Sequence, residues 1–180
     1  MAASPQRGNP YYGYNFVTCM NQKTHIAGGI ILAAAAMIAG IAPLTASLIV
    51  FGGMFNDLDG VDIPWSSKGV HRKLFHNIFV IGLFLALSLR YPFVIYWALG
   101  MVLHNVMDMF SGAPVYVLWP LSRGGDYIGV GGWGVPNKSW ASWLVGVVIA
   151  VLFSTVYLAV TGHLEDAYAL VKKIWEYITP

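Results

Sequence analysis

Seven ionisable side chains, His25, Asp57, Asp59, His71, His76, His104 and Asp108, stand at or just inside the ends of apolar runs. Four of the chain's five histidines are among them. At bilayer depth such a group costs roughly 3 kcal/mol or more unless it is paired or bound, so its presence points to function. Imidazole and carboxylate together form a ligand set for zinc or a similar divalent ion.

The spacing within the set is uneven. His104 and Asp108 are four residues apart in a helical run and project from one helix face. For this pair alone, a buried hydrogen bond tying two helices together is an equal alternative. Asp57 and Asp59 flank one leucine, and an extended turn aims residues two apart the same way. A solvent-facing acidic helix end is the plainer account of them. His71 and His76 are five apart and do not share a helix face; His71 is expected before a helix and His76 in its first turn. Arg72 and Lys73 place positive charge beside the set, which suits phosphate oxygens because guanidinium grips them in a two-pronged fashion. Anchoring at lipid headgroups explains these two equally well. His25 opens a segment on the same side, where a lone histidine is more often a packing residue than a ligand. Asp62 reads as a loop or cap residue, and His163 as lying outside the set.

The elements that must position these groups follow from composition. The chain is 57% hydrophobic and 10% charged, the profile of an integral membrane protein. A formal net charge of +2 gives no nucleic-acid footprint. One cysteine, Cys19, leaves no internal disulfide and no zinc site built on paired cysteines. Apolar runs cover residues 24–42, 44–55, 77–89, 93–110 and 140–161. A membrane crossing takes about 20 helical residues, so the second and third runs are too short on their apolar residues alone. Either the bilayer thins there or the polar residues that continue them sit below its surface. The second arrangement recesses Asp57 and His76 in a pocket.

The expected fold is therefore all-α. It comprises a polar extension at 1–19, a polytopic bundle of about five transmembrane segments within 20–162, and an amphipathic helix at 163–180. The extension is rich in Pro, Gly, Asn and Tyr and does not look like a secretory signal; Met20 is an alternative start. Five alternating spans put the N-terminus and the loops 56–75 and 111–139 on one side. That side carries Arg7, Lys23, Lys68, Arg72, Lys73, Arg123 and Lys138, against Arg90, Lys172 and Lys173 opposite, which favours a cytoplasmic site face. In the last segment Leu164, Ala167, Tyr168, Val171, Trp175 and Ile178 recur at helical spacing, as in a helix lying on a membrane surface or packing in a homo-oligomer.

Taken together, Thr24-His25 with Gly29, Gly53 with Asp57 and Asp59, His71-Arg72 with His76, and His104 with Asp108 resemble the YdjM-type membrane-bound metal-dependent hydrolases. Gly112-Ala113-Pro114 followed by Trp119-Pro120 extends the resemblance, which covers roughly residues 20–122. It implies a helical membrane enzyme with His25, Asp57, Asp59, His71, His76, His104 and Asp108 as metal ligands. Asn56 stands where that pattern usually has proline, Lys73 where it often has glycine, and Asn77 where serine commonly follows the histidine.

Seven nitrogen and oxygen donors exceed the three or four of one catalytic zinc. Two metals, zinc or manganese, are expected, bridged by a carboxylate of Asp57 or Asp59. Such a pair activates water for phosphoester hydrolysis. Asp57, Asp59 and Arg72 are the expected catalytic residues, with Arg72, Lys73 and Arg123 on the non-reacting phosphate oxygens. The expected protein is a hydrolase of the plasma (inner) membrane acting on a lipid or other amphiphilic phosphate. The aromatic loop 111–137, with Trp119 and Trp133, would form its mouth among lipid headgroups. Two other classes fit the same residues. One is a non-enzymatic membrane subunit whose cluster forms a proton path, an ion site or a structural network. The other is a membrane metallopeptidase or amidase, although no HExxH motif is present.

Overall fold

A computed structural model describes residues 22–60, 74–110, 115–118, 120–121 and 140–179. Most of those residues are helical, and none of them lies in a strand. Helices α1 (Gln22–Ile38), α2 (Pro43–Asn56), α3 (Ile78–Ser88), α4 (Val94–Met109), α5 (Trp140–Thr161) and α6 (Leu164–Ile178) follow in order. Each apolar run becomes a helix with bounds within a few residues of those expected. The first stops at Ile38, short of the expected end, because Gly40, at φ 83°, closes it. There Ile41 N donates to Ala36 O and Gly40 N to Met37 O, a left-handed closing turn that glycine enters at little cost. Pro43 then opens α2, where a missing N–H is no loss.

Two hairpins result, α1–α2 and α3–α4. The start of α1, the ends of α2 and α4, and the segment leading into α3 meet at one end of the bundle, as the contacts of His25, Asp57, His104, Asp108 and His76 require. The two hairpin turns meet at the other end, where Gly40, Ile41, Pro92 and Phe93 line a shared groove. Between the ends, α2 and α4 touch backbone to backbone. A Cβ on Gly52 would run into the Trp97 carbonyl, and one on Gly100 into the Ile49 carbonyl. Small residues at a helix crossing are the usual means of close packing in a membrane, where no hydrophobic force drives helices together.

Leu32, Ala36, Ala46, Ile49, Leu103 and Met107 form the core between α1, α2 and α4, with Ile149 of α5 against it. The outer surface is equally apolar. Leu83 and Phe79 on α3, and Leu152, Val156 and Val160 on α5, are all exposed. Residues Trp143–Thr161 of α5 are long and apolar enough to cross a membrane, and most of that stretch faces outward. Helices α1 to α4, with 17, 14, 11 and 16 residues, fall short of the usual crossing length of about 20.

Two local expectations change. His76 does not sit in the first turn of α3 but precedes it, because Asn77 takes the cap position and its side chain accepts from Val80 N at 2.9 Å. An asparagine does there what a serine would do. Residues Asp57–Gly60 form a 3-10 turn and not an extended one. With three residues per turn, residues two apart do not point in one direction.

Candidate metal centre

Asp108, in the last turn of α4, is the hub of a buried cluster. Its Oδ1 lies 3.2 Å from His25 Nε2. Its Oδ2 lies 3.2 Å from His76 Nε2 and 3.4 Å from His104 Nε2. The two nitrogens that converge on Oδ2 are themselves 3.2 Å apart. His104 Nε2 also faces Asp57 Oδ1 at 3.6 Å. The imidazoles of His25 and His104 stack at 3.8 Å between centroids and 17° between planes, which aims both Nε2 atoms into one space. Asp108, His25, His76 and His104 are buried. Asp57 alone reaches the surface, with 29% of its side chain exposed.

The helices explain the convergence. His104 and Asp108 come one turn apart on α4, and His25 stands in the first turn of α1. Asp57 follows directly where α2 ends, its place set by the close α2–α4 crossing. His76 arrives on a non-helical segment held by side-chain amides. Asn77 Nδ2 donates to Leu74 O, and Ile78 N donates to Val117 O at 2.9 Å. Asn105 Nδ2 donates to His76 O at 3.0 Å, while Asn56 Nδ2 donates to Asn105 Oδ1 at 2.8 Å and to Met101 O at 3.2 Å. Neither Asn56 nor Asn105 stands out in the sequence as part of the site. The available signal was their polarity within apolar helical runs, next to Asp57 and His104.

The donor set fits a divalent cation. Ligand atoms about 2.0–2.1 Å from a tetrahedral zinc lie about 3.3–3.4 Å from one another. The separations above, 3.2 to 3.6 Å, fall around that edge length. They exceed the roughly 2.7–2.9 Å of a good charge-assisted hydrogen bond. Among the described residues, His25 Nδ1, His104 Nδ1 and Asp57 Oδ2 are buried with no hydrogen-bond partner. Each such atom costs about 1–3 kcal/mol; of the three, Asp57 Oδ2 belongs to a carboxylate of the cluster, while the two Nδ1 atoms lie on the ring side away from the converging Nε2 atoms. Two overlapping ligand groups can be drawn, His25–His104–Asp108 and Asp57–His76–His104.

Of the seven ligands expected from sequence, the fold thus brings together His25, Asp57, His76, His104 and Asp108. Only the backbone of Asp59 is described, in the 3-10 turn. His71, Arg72, Lys73 and Arg123, with Trp119 and Trp133, lie outside the described residues. His163 does not join the cluster and pairs with Asp166 at 2.9 Å.

An all-helical bundle, apolar on its outer faces and holding a buried histidine–aspartate cluster at one end, defines a helical membrane protein with a candidate metal centre. The family model of the YdjM inner membrane protein matches residues 20–172, and the chain belongs to that family. Comparison with curated proteins and with solved structures found no match.

Proposed function

We propose that the protein is a multi-pass inner-membrane hydrolase that uses a divalent metal to cleave a phosphoester of a lipid or other amphiphilic phosphate. The observation that carries the reading is the meeting of three buried imidazole Nε2 atoms with the carboxylates of Asp108 and Asp57. In this reading His25, His76, His104 and Asp108 hold the ion. An imidazole nitrogen has a single lone pair and does not bridge, so His104 serves one ion. A carboxylate can bridge, and Asp108 meets His25 through one oxygen and His76 and His104 through the other. If two zinc or manganese ions bind, the carboxylates of Asp108, Asp57 and Asp59 and the imidazole of His71 would supply the further donors.

When bound, such an ion acidifies water and offsets negative charge on a phosphate. Asp57 is the one described member of the cluster open to solvent, and its Oδ2 has no partner among the described residues. It is suited to take the proton from the attacking water. Arg72, Lys73 and Arg123 would bind the remaining phosphate oxygens. Five spans, with α1 to α4 lengthened by their polar ends, would recess the site at the leaflet surface on the cytoplasmic side. There the tail of an amphiphile stays in lipid.

Metal analysis of the purified protein and turnover of a phospholipid and lipid-phosphate panel test this reading. One to two equivalents of zinc or manganese, and turnover abolished by Asp57→Asn with folding intact, are expected. A protein that contains no metal and is equally stable in chelator would instead be the non-enzymatic subunit. Cleavage of amide substrates alone would make it an amidase.

A further inference from the structure

His76 is the one described member of the cluster that no helix carries. Helices fix His25, His104 and Asp108 through their own backbones, and α2 fixes Asp57 by ending beside it. The imidazole of His76 must be set by whatever holds its main chain. That main chain is held from α4: Asn105 Nδ2 donates to His76 O at 3.0 Å. Asn105 is held in turn from α2, because its Oδ1 accepts from Asn56 Nδ2 at 2.8 Å. Asn56 is anchored back on α4 through Met101 O at 3.2 Å. Asn56 is wholly buried and Asn105 nearly so.

The placement of the two amides follows one rule. Asn105 adjoins His104, and Asn56 adjoins Asp57. On a helix, successive residues are about 100° apart, so α4 can offer His104 to the ring of His76 and Asn105 to its carbonyl. The ring and the carbonyl of one residue are thus gripped by neighbouring side chains of a single helix. Buried amides are costly unless satisfied; Asn105 uses its Nδ2 on His76 O and its Oδ1 on Asn56 Nδ2, so the amide that tethers the segment is itself held on both sides.

We propose that Asn105, braced by Asn56, is a positioning residue: the two amides hold the main chain of His76 so that its imidazole reaches Asp108 and His104. That the imidazole is placed there for a metal rests on the function proposed above; the tether itself does not.

The test uses the full chain in lipid nanodiscs. In metal-free protein, hydrogen exchange followed by mass spectrometry reads the amides of residues 75–80. Asn105→Leu removes the donor and is expected to speed their exchange about tenfold, the effect of losing one buried hydrogen bond. Asn56→Ala keeps the donor but removes its brace, and a smaller acceleration in the same peptide is expected. Unchanged exchange in both variants overturns the proposal, and if Asn105→Leu does not fold, Asn56→Ala decides alone.

Zinc affinity, measured by competition with a chelator, gives the second readout. Asn105→Leu should weaken binding about 10- to 100-fold, as loss of a partner behind a ligand does. Combined with His76→Ala it should add nothing to the loss caused by His76→Ala alone, because it acts through that residue. Additive losses would show that Asn105 acts through the fold at large and overturn the proposal. If the unaltered protein binds no zinc, the metal reading fails while the exchange result still decides the tether.

Discussion

His25 Nε2 lies 3.2 Å from Asp108 Oδ1, joining the first turn of α1 to the last turn of α4. The two residues belong to different hairpins, so this contact and that of His104 with Asp57 close the bundle at the site end. Asp108 faces three imidazoles with two oxygens, which makes it the residue on which the cluster depends.

Asp108→Asn keeps the size of the side chain and removes its charge. Zinc affinity should fall by more than about 100-fold, beyond the loss typical of a partner behind a ligand. Competition with a chelator measures this. Affinity within about tenfold of the unaltered protein would remove Asp108 from the ligand set.

The α2–α4 crossing predicts opposite outcomes for two glycines. Gly100→Ala drives a methyl into the Ile49 carbonyl, and overpacking of this kind costs about 1–3 kcal/mol or more. A Cβ at Gly82, on the outer side of α3, meets nothing within 4 Å. Gly82→Ala should therefore be neutral or gain up to about 1 kcal/mol from helix propensity. Thermal unfolding in one detergent compares them, and equal melting temperatures would mean that the helices do not cross this closely.

The C-terminal helix makes a separate prediction. Tyr168, Val171 and Trp175 form an exposed apolar face, while Glu165, Lys172 and Glu176 face elsewhere around the same helix. A helix of this pattern lies in the membrane interface. Spin labels placed singly at these six positions, with Cys19→Ser as background, should split into two groups. The first three should be accessible to oxygen dissolved in lipid, the last three to a water-soluble nickel complex. Uniform access to the nickel complex would place α6 off the membrane.

Much of the fold was legible because helix formation is local. The run at 140–161 becomes α5, and the run at 93–110 becomes α4 with one residue trimmed from each end. The depth-matched histidines and aspartates were legible as a set because ionisable residues are scarce in apolar sequence. Their partners were less so. Asn105 reads as one polar residue beside His104, and nothing in its neighbourhood announces that its amide holds the carbonyl of His76, ahead of α3. The first turn of α3 was also misread, because the capping role of Asn77 competes with simple continuation of the helix back to His76.

The sequence alone therefore determined the helices and the types of donor available. Those depend on composition and on spacing within a few residues. Only the tertiary structure decided that Asp108 is the hub, that Asp57 is the member open to solvent, and that Asn56 and Asn105 hold His76. These are relations between helices, fixed by how closely Gly52 and Gly100 let two backbones approach, and periodicity along one chain carries no record of that distance.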